Sequence, residues 1–191
     1  MLEVGSEVWS FLQVGGRMKN IGKDEFKDLI NSGIKEFNDL ILNDIQLNEC
    51  SLNDLEFNRC EFNKLDCHKG SLSNIYFRES KFIDCDFSES NLNLVVINHS
   101  ELENVKFNKC VVDNVMDQYG WTSTNFNKCE FESINILSSI EVVGCDFTDC
   151  SFENAVIKCP EFCNCNIKGC NMKCWNANSD LGGNYFYNAN L

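Results

Sequence analysis

Apolar residues recur at every fifth position through most of this chain, and that spacing excludes most folds before composition is considered. From Phe37 the lattice reads Phe37, Leu42, Leu47, Leu52, Phe57, Phe62, Cys67, Leu72, Phe77, Phe82, Phe87, Leu92, Ile97, Leu102, Phe107 and Val112 without a miss. A one-residue deletion carries it to Met116, Trp121, Phe126, Phe131 and Ile136. A one-residue insertion then gives Val142, Phe147, Phe152, Ile157, Phe162, Ile167 and Met172; Ala177 follows, and a second deletion gives Leu181, Phe186 and Leu191. Only Phe11 and Phe26 among the 15 Phe fall off this lattice. A period of five fits neither the 3.6 of a helix nor the 2 of a strand, so each unit is a short extended piece and a turn, stacked on copies of itself.

The number of sides is also legible. Two residues before each centre, Cys50, Leu55, Cys60, Leu65, Gly70, Ile75 and Ser80 alternate small and large. Alternation requires an even number of faces, and four is the smallest that encloses a packed core. Every fourth unit then forms one small column: Cys50, Gly70, Ser90, Cys110, Cys129, Cys150, Cys170 and Ala189. Asn follows the centre at Asn38, Asn43, Asn48, Asn53, Asn58 and Asn63, where its amide serves the turn backbone and tolerates unusual dihedrals.

The pentads Ala189-Asn190-Leu191, Ser179-Asp180-Leu181, Cys145-Asp146-Phe147, Cys85-Asp86-Phe87 and Ser90-Asn91-Leu92 resemble the A(D/N)LXX unit of the pentapeptide-repeat family. The resemblance runs from Ile34 to Leu191 and implies an all-β solenoid, a right-handed quadrilateral β-helix. At four units per coil the lattice makes about eight coils, roughly 38 Å tall at about 4.8 Å per level. Residues 18–33 are expected to cap the first coil, with a short helix that has Asp24 as N-cap, Gly33 past its C-terminus, and Phe26, Leu29 and Ile30 on one face. Residues 34–191 form the repeat domain. Residues 1–17 fit neither part and read as a flexible tail or as translated upstream sequence: Val14-Gly15-Gly16-Arg17 before Met18 is what a purine-rich ribosome-binding site would encode, which makes Met18 the start.

With 29 acidic and 16 basic residues the net charge is -13, which opposes direct binding to nucleic acid or to an anionic membrane. No run approaches the roughly 20 apolar residues of a spanning helix, and the first 17 residues lack a basic start followed by an apolar stretch. The expected location is the cytoplasm; abundant Asn with one Pro fits an AT-rich bacterial genome. Of the 13 cysteines, Cys50, Cys60, Cys85, Cys110, Cys129, Cys145, Cys150, Cys165 and Cys170 occupy the small inward position and Cys67 is a centre, so they read as buried small hydrophobes rather than a disulfide scaffold. Cys159, Cys163 and Cys174 lie off the inward positions, without a CxxC pair to suggest zinc. His68 and His99 follow a centre by one and two residues and so point outward, and no nucleophile, base and orienter assemble with them. No catalytic residue, cofactor or metal is expected.

These residues describe a non-catalytic scaffold for a protein partner. The resemblance adds an alternative, because some acidic members of the family, the quinolone-resistance group included, bind type II topoisomerases, with the rod proposed to mimic duplex DNA. Over residues 35–114 the four faces carry net charges of about -1, -3, -1 and -2, with Lys and Arg interspersed, which makes little directed field beyond about 8 Å. Single-residue slips also leave no room for a protruding loop. The last coil carries Trp175, Leu181, Tyr185, Phe186, Tyr187 and Leu191 with one charge, Asp180, and is expected to pair end to end with a second copy in a two-fold homodimer.

Overall fold

The computed structural model describes residues 18–113, 120–136, 141–158, 161–163, 166, 168 and 176–178. Within them the lattice is a parallel β-solenoid of about six turns with one short helix at its N-terminal end. The first face stacks Phe37, Phe57, Phe77, Ile97, Trp121 and Val142. The second stacks Leu42, Phe62, Phe82, Leu102 and Phe126, with Phe147 continuing the column. Along the third, parallel bridges from Gln46 through Asp66, Asp86, Lys106 and Glu130 to Ser151 set Leu47, Cys67, Phe87, Phe107, Phe131 and Phe152 in line. The fourth aligns Leu52, Leu72, Leu92, Val112, Ile136 and Ile157.

Most centres are almost fully buried, and where Phe follows Phe the rings stack. Ring centroids lie 5.1 and 5.2 Å apart through Phe37, Phe57 and Phe77, and 5.3, 5.2 and 4.6 Å apart through Phe87, Phe107, Phe131 and Phe152. Columns on adjacent faces meet edge to face, as Phe77 does with Phe82 at 4.9 Å.

The register corrects the sequence reading at one place. Partners on adjacent coils are 20 residues apart as far as Ile97, but Ile97 pairs with Trp121, and Asn98 meets Thr122 across 24 residues. Trp121, rather than Met116, therefore follows Val112 on the ladder, and the slip is a four-residue insertion between Asp113 and Gly120. Residues 114–119 lie outside the described part. The insertion takes one unit out of the lattice, and together with the sparsely described chain beyond Lys158 it accounts for about six turns in place of eight. It also redraws the small column. Asn135 N–H donates to Cys110 O and Val156 N–H to Ile134 O, so Ile134 and Ala155 follow Cys110. Cys129 and Cys150 belong instead with Ile45, Leu65, Cys85 and Val105 on the third face. The insertion has a local cost: the Trp121 ring is 1 % exposed, yet its Nε1–H has no acceptor among the described residues.

The inward cysteines do more than fill space. Cys60 Sγ–H donates to Phe37 O at 3.5 Å, Cys85 to Phe62 O at 3.4 Å and Cys110 to Phe87 O at 2.8 Å, each reaching back one coil. Ser80, Ser90 and Thr124 donate in the same way to Phe57 O, Cys67 O and Ile97 O. At these six residues the contact needs a small side chain with one donor, which Cys, Ser and Thr all supply.

Turns differ from expectation too. The residue with positive φ is two after the centre, from Asp39 at 56° through Arg59, Lys69 and Leu94 to Asn154 at 58°, rather than the Asn one after it. Where Cys50 N–H returns to Leu47 O, with φ of 58° at Glu49, the turn has the third-residue signature of type II.

At the N-terminal end, Lys19–Ile21 adds an unforeseen strand above Leu40–Leu42. The helix then spans Lys23–Asn31 with Gly22, not Asp24, at its N-cap; Asp24 sits in the first turn, where its charge favours the helix dipole. Gly33 closes it at φ 90°, its N–H on Ile30 O and that of Ile34 on Leu29 O, a Schellman ending. Phe26 packs 5.4 Å from Phe37 and 6.1 Å from Phe57, so the helix covers the first coil as expected.

Candidate interaction face

Reactive side chains are engaged by the rod itself. Burial pushes the thiol pKa up to about 11 at Cys60 and about 12 at Cys85 and Cys110, and raises Cys67 further, so these sulfurs remain neutral at physiological pH. The eight cysteines whose side chains are described are free thiols. His68 is half-buried rather than free in solvent: its Nδ1 lies 2.7 Å from Asp66 Oδ1, and the same oxygen accepts its backbone N–H. Asp86 does the same for Ser88 N–H, which shows what the acid before a centre is for. His99 occupies a corner between the first and second faces, away from His68 on the third, and the two form no common site.

On three faces, charges of opposite sign recur from coil to coil and some of them pair. The corner after the first face reads Asp39, Arg59, Glu79, His99; the next reads Asp44, Lys64, Asp84, Asn104, Lys128; the third reads Glu49, Lys69, Glu89, Lys109. Stacking one coil apart, opposite signs alternate. Arg59 clasps Asp39 at 2.8 and 2.9 Å and its hydrogen bond holds the Asp39 carboxyl below the usual carboxylate range. Asn104 donates to Asp84 at 2.6 Å, Arg78 to Glu56 at 2.9 Å, and Lys109 approaches Glu89 at 3.6 Å. Amide ladders complete the pattern, as in Asn63 to Asn43 to Asn20.

The fourth face is different. Its outward rows are Ser51 and Asn53, Ser71 and Ser73, Asn91 and Asn93, Val111 and Asp113, then Asn135, then Val156 and Lys158, so Asp113 and Lys158, of opposite sign, are the charges among these described positions. Val111 and Val156, each 36 % exposed, are in a single outward column. The side chains of Ser51, Ser71, Ser73, Asn91 and Asn93 make no hydrogen bond among the described residues. Unengaged donors and acceptors thus form a flat grid, with rows about 4.8 Å apart. The four-residue insertion falls after Asp113, at the end of this face in the register. Sequence reasoning missed the face because its Ser and Asn resemble ordinary turn residues until the register sets them side by side.

The proposed end interface of Trp175, Leu181, Tyr185, Phe186, Tyr187 and Leu191 lies outside the described residues, as do the side chains of Cys159, Cys163 and Cys174. Among the described residues no His, Cys, Asp and Glu cluster with metal-binding spacing, and no helix is long and apolar enough to cross a membrane.

Residues 71–108 match the pentapeptide-repeat family, with eight copies of the repeat. Among solved structures, a trypsin-treated form of QnrB1, a plasmid-mediated fluoroquinolone resistance protein, is similar with a TM-score of 0.50 at 14 % identity, over 81 % of this chain and 90 % of that one. HetL, a pentapeptide repeat protein involved in heterocyst differentiation regulation from the cyanobacterium Nostoc, gives a TM-score of 0.42 at 15 % identity, over 90 % of this chain and 95 % of that one. The first of these likenesses carries the shared fold. No curated protein sequence matches the chain.

Proposed function

Because the chain is a pentapeptide-repeat protein, we propose that it acts as a non-catalytic scaffold, a rigid rod that offers a preorganised surface to a protein partner in the cytoplasm. The observation that carries this reading is the division of the surface: thiols are buried and neutral, several charges on three faces are paired along the rod, and the outward Ser and Asn side chains in the middle of the fourth face are unengaged. A surface already fixed by the solenoid loses little entropy on binding. Free thiols fit a reducing compartment. Affinity capture from the native host, with wild type beside a Ser71→Glu, Asn91→Glu variant, tests the scaffold reading. It expects a partner retained by wild type and lost from the variant; identical recovery by both refutes it.

A second reading, modulation of a type II topoisomerase by DNA mimicry, draws support from the net charge of -13, the fold shared with a fluoroquinolone resistance protein, and the lengthened coil between Asp113 and Gly120. The alternating corners speak against it, since a phosphate mimic concentrates one sign. A supercoiling assay with and without a quinolone separates the two readings, and neither inhibition nor protection at micromolar protein removes the second. We also propose the end-to-end homodimer through Trp175, Leu181, Tyr185, Phe186, Tyr187 and Leu191, supported by the apolar composition of that stretch. Light scattering on wild type and Tyr187→Glu tests it; a dimer indifferent to the substitution rejects that interface.

A further inference from the structure

We infer that the fourth face pairs side by side with the same face of a second copy of this chain, independently of any end-to-end contact and of the identity of a partner. Three observations select a second copy as the occupant. First, charge: at a net -13 two copies repel through most of their surfaces, whereas the described outward sheet positions here hold two charges of opposite sign, Asp113 and Lys158. Second, chemistry: Ser hydroxyls and Asn amides each donate and accept, so an array of Ser71, Ser73, Asn91 and Asn93 complements itself across a two-fold axis, which an array of one sign cannot.

Third, dimension: the two rods share one coil repeat, so their rows stay in step along the whole face, and short side chains allow the sheets to approach to about 10 Å, as in the polar zippers of stacked sheets. Val111 and Val156 supply the apolar contacts. The face spans about 24 Å along the rod by about 14 Å across, from six levels and a strand's width. On the order of 350 Å² per copy is below the roughly 800 Å² of a standard interface, so the association is reversible and concentration-dependent.

Sedimentation velocity from about 1 to 500 µM, with small-angle scattering at the upper end, tests this in wild type, in a Ser73→Glu, Asn93→Glu pair, and in Asn127→Glu on the second face. Wild type and Asn127→Glu are expected to associate as concentration rises, with a growing cross-sectional radius, while the paired variant remains monomeric with an unchanged circular dichroism spectrum. If that pair fails to fold, the exposed Asn91→Glu alone serves. A wild type that is monomeric throughout, association indifferent to these substitutions, or growth in rod length without growth in cross-section overturns the inference; the last result indicates the end contact instead.

Discussion

Replacing Phe131 with Leu removes two parallel ring stacks while retaining an apolar side chain, and the loss it causes depends on which residue lies in the coil before. Phe131 is fully buried, 5.2 Å from Phe107 with 5° between ring planes and 4.6 Å from Phe152 with 4°. Each aromatic pair contributes about 0.5–1.5 kcal/mol beyond buried area, so the stacking component of the loss is roughly 1–3 kcal/mol. A double-mutant cycle isolates the contact that crosses the lengthened coil. Phe107→Leu and Phe131→Leu are expected to couple by about 0.5–1.5 kcal/mol in urea unfolding followed by circular dichroism, with a common m-value. Under the one-residue deletion suggested by sequence spacing, Phe131 would sit beneath Val112 instead. Val112→Ala combined with Phe131→Leu is the control, and coupling there as large as in the Phe107 pair refutes the 24-residue coil.

Phe87→Asp places an unpaired charge between Phe107 and Cys67 and is expected to abolish the folded state, whereas Asn48→Ser on an exposed turn shifts the thermal midpoint little; equal losses contradict the inward assignment. Gly70→Ala is expected to cost stability although Cys50, Ser90 and Cys110 share its column, because a Cβ there meets Cys67 O at 2.7 Å; an unchanged urea midpoint would show that the backbone gives way freely. Thiols in the folded chain titrate above their ordinary value of 9.0, near 11 at Cys60 and near 12 at Cys85 and Cys110, so the stability tied to the neutral form is complete below about pH 9 and lost as pH rises from there through 11 to 12. Unfolding midpoints already falling between about pH 7 and 8 contradict this. Thiol titration of the denatured, unreduced protein is expected to find close to 13 groups, and several missing would reveal disulfides.

Phe, Leu and Ile sit at inward positions because only those positions are dry, and the solenoid, its four sides and the covering helix were legible for that reason. The lengthened coil was not, and the cause is arithmetic: on a lattice of five, losing one residue and gaining four leave the same phase. Apolar Met116 then completed the wrong alternative. Only pairing between coils, Ile97 with Trp121, tells the two apart. The left-handed corners were misplaced because Asp39, Arg59 and Lys69 take conformations usually left to Gly or Asn, held there by the stack above and below rather than by their own preference. The fourth face escaped notice because adjacency between Ser71 and Asn91 exists only once coils are aligned.

The donors that reach back one coil differ in how many directions they tie. A buried thiol gives its hydrogen to the preceding coil. A hydroxyl also receives: Cys60 N–H donates to Ser80 Oγ, Gly70 N–H to Ser90 Oγ and Ser80 N–H to Ser100 Oγ, each at 3.1 Å. Ser80 and Ser90 are therefore each tied twice to the coil before, and the thiols of Cys129, Cys145 and Cys150 reach back one coil as well. Ser80→Ala or Ser90→Ala would leave the Cys60 or Gly70 N–H without that hydroxyl acceptor in the dry interior, so the hydroxyl binds one coil to the next through the backbone as well as through its own proton.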